Sequence, residues 1–211
     1  MQKNWKNRRK LPYFLLVLML LILPVCLDAE AAEPGDHFPT QIQDQPSDAE
    51  NDPVMIRVEG ALEEFDRGAI LVRLNEIRAE ACREGVPNPV NGEPLNQEDY
   101  VPLEWSEELG KIAILRAAES TILQDHIRPD GTECFSAAPE GVPFTMETLA
   151  WGYGSAAAAV EGWYSEKAAY VEETGTPAGH YMALINPENR FVGIADLLAK
   201  WQRDACAGAF A

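Results

Sequence analysis

Apolar residues are spread so unevenly along this chain that only one part of it can build a core. A near-continuous apolar run, "LPYFLLVLMLLILPVCL" from Leu11 to Leu27, stands close to the N-terminus. A polar stretch follows, "AEPGDHFPTQIQDQPSDAENDP", dense in Asp, Glu, Gln and Pro, which is the composition of a disordered spacer. From about Val58 apolar density rises and stays high to the C-terminus. That leaves about 150 residues, enough for one domain with a real core. There is no internal repeat.

The apolar run has the length of a signal-peptide core, and Lys3, Lys6, Arg8, Arg9 and Lys10 supply the basic region before it. A small-x-small site at Ala29-Glu30-Ala31 places cleavage after Ala31. A retained anchor is the runner-up reading. A lipid-modified Cys26 fits less well, because Val25 is larger than the residue such sites require. Residues 1–31 are therefore expected to be a signal peptide, 32–60 an acidic linker and 61–211 the folded domain. The expected location is outside the cell, with no membrane span left after cleavage. The chain carries 34 acidic and 17 basic residues, a formal net charge of −17. Removing residues 1–31 takes away five basic and two acidic side chains and leaves −20. So negative a surface excludes nucleic acid and anionic membranes as partners, since both need a basic face.

Three cysteines remain after cleavage, Cys82, Cys134 and Cys206. Outside the cell one pair could close and one thiol would be left over. Cys134 with Cys206 is preferred, because Cys82 falls on an expected helix, but the sequence leaves the pairing open.

Helical spacing of Ile70, Leu71, Leu74, Ile77 and Ala81 predicts a helix from about Leu62 to Glu84, stopped by Gly85. Ser106 reads as the cap of a second helix, with Glu107 and Glu108 in its first turn. Leu109, Ile112, Ala113, Arg116, Ala117 and Ser120 mark its inner side, and it ends before Pro129. "RPDG" is a turn by its chemistry. Ser155 caps a third helix running through "AAAAVEGWYSEKAAY". His180 to Ile185 and Arg190 to Ile194 read as strands, and "WQRDACAGAF" as a last one. Together these predict a mixed α/β (α+β) layered domain.

Four residues stand out chemically. Trp163, Glu166 and Tyr170 share one face of the expected third helix, so Glu166 needs a partner there. Glu147 precedes an apolar stretch, His126 follows the second helix, and His180 opens an otherwise apolar run. Two imidazoles and two carboxylates could ligate zinc or serve acid–base chemistry. Their spacings of 21, 19 and 14 residues make no local metal motif. "GYGS" lacks the strand and acidic partner of a dinucleotide site. No G-x-S-x-G is present, and Cys134 is better read as structural than as a nucleophile.

In order along the chain, "LNEIRAE", "PLEWSEEL…RAAES…DH", "METLAWG", "GWYSEKAAY", "GHYMALINP" and "FVGIA" resemble the CAP superfamily of cysteine-rich secretory, antigen and pathogenesis-related proteins, or SCP domains. The likeness spans about Phe65 to Phe210 and is greatest to the exported bacterial branch, where "RPDG…CF" also occurs. It implies a three-layer α-β-α sandwich with a central, mainly antiparallel sheet. It also implies a cleft in which His126, Glu147, Glu166 and His180 converge to bind Zn2+ or another divalent cation. Met146 and Thr148 stand where the family usually has Gly and Asn, which bears on the backbone around Glu147. The function expected from the resemblance is a secreted, non-enzymatic binding or interaction module, its partner an extracellular protein or a small apolar ligand. The alternative is a metal-dependent hydrolase or peptidase with Glu147 or Glu166 as catalytic base, and the third is lipid or sterol binding.

Overall fold

The computed structural model describes residues 56–201 and 204–211. The expected signal peptide, its cleavage site and most of the acidic linker lie outside the described residues.

The helix starts obey local capping chemistry. Asp66 accepts the Ala69 N–H and opens helix α1, Arg67–Glu84. Gly85 closes it in the left-handed region at φ 66°, where its N–H reaches the Ala81 carbonyl. Ser106 caps α2, Glu107–Ser120, by accepting the Leu109 N–H. Ser155 caps α3, Ala156–Tyr164, in the same way through Ala158. The strands are β1 (Gly60–Leu62), β2 (Glu104–Trp105), β3 (Met146–Trp151), β4 (Phe191–Ala199) and β5 (Asp204–Phe210).

The strands form one sheet in the order β1-β4-β5-β3, antiparallel throughout, and β2 adds a short parallel pairing to β4. Alternation along the strands sends side chains to two separate cores. Leu109, Ile112, Ala113 and Ala117 of α2 cover one face, against Leu149, Ala195, Leu197, Ala207 and Ala209. Helices α1, α3 and α5 (Gly179–Ile185) cover the other, against Ala150, Val192, Ile194, Cys206 and Phe210. The result is the expected α-β-α sandwich, with β3 ending the sheet on one side.

Several local expectations change. "GHYMALI" is the helix α5 and not a strand. Tyr181, Ala183, Leu184 and Ile185 are all buried, and a short run enclosed on nearly all sides carries no period that separates helix from strand. The expected third helix is two helices, α3 and α4 (Lys167–Val171), joined at Ser165 and Glu166. There the Ser165 hydroxyl donates to the Gly162 carbonyl at 2.6 Å, a side chain competing with the helix ladder. "METLAW" is the strand β3, and Leu62 belongs to β1 rather than α1. Helix α2 stops at Ser120, where Ser120 and Thr121 hydroxyls turn back onto the Ala117 and Ala118 carbonyls. The preferred Cys134–Cys206 pairing is absent: Cys82, Cys134 and Cys206 are all buried free thiols. Cys134 packs with the α2 core and Cys206 with the opposite one, so the sheet stands between them. Among the described residues, no helix is long and apolar enough to cross a membrane.

Candidate functional site: a cleft between two histidine–glutamate pairs

Glu147 sits on β3 with its side chain on the α2 face, where it meets Arg116. Arg116 is 1% exposed, and its guanidinium grips both carboxylate oxygens, Nε to Oε1 at 2.5 Å and Nη2 to Oε2 at 3.3 Å. His126, in the loop after α2, brings Nδ1 to 2.7 Å from Glu147 Oε2. A carboxylate facing an arginine can only accept, so His126 Nδ1 carries the proton in that bond. The Glu147 hydrogen bond, opposed by burial, raises the His126 pKa above the ordinary histidine value.

The second pair is built differently. Glu166 lies at the α3–α4 joint and faces the start of α5, where no local side chain caps the helix. Its Oε2 accepts the backbone N–H groups of His180 and Tyr181, at 2.9 and 3.2 Å, and its Oε1 lies 2.6 Å from His180 Nδ1. One carboxylate thus supplies the missing cap and fixes the imidazole beside it. Burial alone would push the Glu166 carboxyl up, but the His180 ring and these two N–H groups outweigh it and hold the carboxyl below the usual range.

The two imidazoles come from opposite helical layers and meet around the outer edge of β3, ring centroids 6.4 Å apart. Trp163 backs the His180 ring at 6.3 Å and anchors itself by donating Nε1–H to the Leu149 carbonyl. The side chains of His126 and His180 are 54% and 29% exposed, whereas Glu147 is 2% exposed, so the rings reach solvent and Glu147 is walled in behind one of them. Both Nδ1 atoms are turned to carboxylates, and neither Nε2 has a hydrogen-bond partner among the described residues. The structure therefore brings His126, Glu147, Glu166 and His180 to one place, as two hydrogen-bonded pairs. Among the described residues, no group of three or more His, Cys, Asp or Glu is arranged to hold a metal ion.

Met146 and Thr148 leave this arrangement intact. Met146 is not in the left-handed region, so the absent glycine costs no backbone strain, and its sulfur accepts from the Asn186 amide at 3.3 Å. Thr148 turns to the opposite face from Glu147, and its buried hydroxyl has no partner among the described residues. Helical spacing places Arg116 on the buried side of α2 but does not by itself connect it to the site. A signal is present all the same, because a guanidinium on an apolar helix face demands a carboxylate.

Several solved structures are similar to this chain. An outer surface protein from Borrelia burgdorferi is 16% identical, with 72% of this chain and 96% of that one covered and a TM-score of 0.44. NaASP2 with Zn2+ is 17% identical, with 71% and 80% covered and a TM-score of 0.49. Na-ASP-1 is 16% identical at a TM-score of 0.50, with 69% of this chain matched to 38% of that longer one. At such identity the last of these supports the fold alone. No curated protein matches the chain. Residues 71–201, more than half of the sequence and most of the sandwich, match the cysteine-rich secretory protein family, CAP, and the chain belongs to that family.

Proposed function

We propose that this CAP-domain protein is exported and works outside the cell as a binding module. Its cleft holds a divalent cation, Zn2+ first, through Nε2 of His126 and His180. The observation that carries this reading is the pairing of each Nδ1 with a carboxylate, at 2.7 and 2.6 Å, while the two rings lie 6.4 Å apart, tilted to one another and partly exposed. Metal-bound histidines commonly carry this hydrogen bond to a carboxylate, which fixes the tautomer and raises ligand basicity. The donor set fits zinc by type but supplies only two nitrogens, so water or a ligand must complete the coordination. Glu147 and Glu166 support the imidazoles rather than ligate. When bound, the ion supplies a positive, Lewis-acidic point at which a partner's oxygen or nitrogen can dock.

The same pairings count against the hydrolase reading. A general base needs a free carboxylate, and both oxygens of Glu147 and of Glu166 are already engaged. Cys134 offers no nucleophile, since burial pushes its thiol up to about 11. Among the described residues, an apolar ligand has a candidate place in a groove between α1 and α3 lined by Ala69, Ile70, Ala157, Ala158 and Val160. Its volume of about 270 Å³ lies below the roughly 300–1,000 Å³ of small-molecule sites, which ranks lipid carriage behind the metal cleft. Export rests on the basic and apolar N-terminal segment and on the acidic composition.

Calorimetry with Zn2+ on the purified protein and on a His126→Ala/His180→Ala double variant tests the metal site. The parent protein is expected to bind one ion and the variant none. Equal binding by both would overturn the reading.

A further inference from the structure

Arg116 does more than neutralise Glu147. Its Nη2 also donates to the backbone carbonyl of Asp125, the residue immediately before His126, at 3.0 Å. One guanidinium therefore holds the carboxylate that orients the His126 ring and the backbone from which that ring projects. Its Nη1 donates to Glu119 at 2.6 Å, and Glu119 is gripped in turn by Arg128, at 2.7 Å, on the far side of the same loop. The loop between α2 and the "RPDG" turn is thus pinned at both ends through one buried carboxylate–arginine chain. His180 is served differently, its carboxylate being held by backbone N–H groups of its own helix.

We propose that Arg116 is the positioning residue of the cleft: its planar fork sets the orientation of His126, through Glu147 and the Asp125 carbonyl, and leaves His180 untouched. A buried arginine costs several kcal/mol of desolvation unless its geometry is excellent, and here every one of its donor nitrogens has a near acceptor. Charge alone would not hold the ring in this way. A lysine ammonium in the same place could pair with Glu147 but could not span two oxygens and a carbonyl in one plane.

The test is Arg116→Lys, read first without any metal. In 15N-labelled protein, the Nδ1–H signal of His126 is expected to broaden or vanish and its ring 15N shifts to move, while those of His180 stay put. In a second measurement, which rests on the reading of His126 as a metal ligand, the Zn2+ dissociation constant is expected to rise about tenfold. Unchanged His126 signals would overturn the proposal, because charge would then suffice. Signals of both histidines moving together would also overturn it, because Arg116 would then be a general brace of the fold. If Arg116→Lys fails to fold, Glu119→Gln loosens the same guanidinium and is judged by the same two histidines. Should Zn2+ bind to neither protein while the His126 signals respond as expected, the metal reading falls and the positioning role stands.

Discussion

Asp196 lies on β4, 4% exposed, with its side chain on the α3 face. Burial raises its pKa, Asp204 and Glu63 raise it further, and one N–H, from Ala156, opposes them. A carboxyl whose pKa is raised by folding contributes stability that is fully present below its unfolded value, about 3.9, and lost as pH rises through the folded value. At neutral pH the ionised group therefore weakens the fold. Asp196→Asn keeps an oxygen for Ala156 and removes the charge. Urea unfolding should show the variant more stable on the order of 1 kcal/mol at about pH 7, with the gain fading toward about pH 4. An equal gain at both pH values would place the cause elsewhere. His126, Glu147, Glu166 and His180 stood out by their chemistry, but that they come together was legible only through the family resemblance, since their spacings make no local motif. Asp196 did not stand out, since it lies beyond Ile194, where the expected strand ended, on a strand that is buried on both faces. No local pattern marks which polar residue of a strand faces inward among acids.

Serine-capped helix starts are easier to read than the course of the helix that follows them. Ser106 and Ser155 cap where their chemistry says they should, whereas Asp66 is hidden by an apolar period that extends back past it to Leu62. The break after Tyr164 leaves no trace in the sequence, because "GWYSEKAAY" keeps a helical period straight through the joint. That joint matters most for the site. It turns Glu166 toward α5, and α5 would otherwise begin with unsatisfied N–H groups. Glu166→Ala is accordingly expected to cost about 1–3 kcal/mol, through lost hydrogen bonds at a partly buried helix start. Hydrogen exchange should speed up at the His180 and Tyr181 amides while the α2 amides hold their protection. Uniform loss of protection across both layers would refute the local capping role.

At the scale of the molecule, the three layers follow from strands whose two faces are both apolar, each demanding a helix. Element order pointed to a mixed layered domain and the family resemblance implied its three layers; the register of the strands was readable from neither. Gly193 shows why, since what it accommodates is a distant backbone. A Cβ there would stand 2.0 Å from the Gly110 nitrogen and 2.2 Å from the Leu109 carbonyl carbon, so α2 rests directly on β4. Gly193→Ala must push the helix off the sheet, at a cost of about 3 kcal/mol. Denaturant titration should show the loss, and an undisturbed midpoint would contradict this packing.

The strand β3 closes the sheet on one side, and His126 and His180 reach past it from opposite layers. A guest that grips both rings is therefore a clasp across the seam of the sandwich. At a concentration a hundred times its dissociation constant, it adds about 2.7 kcal/mol of resistance to unfolding. On the proposed reading, parting the layers at this seam would separate the two rings and with them the metal site. Ion binding, on that reading, would be lost before the fold.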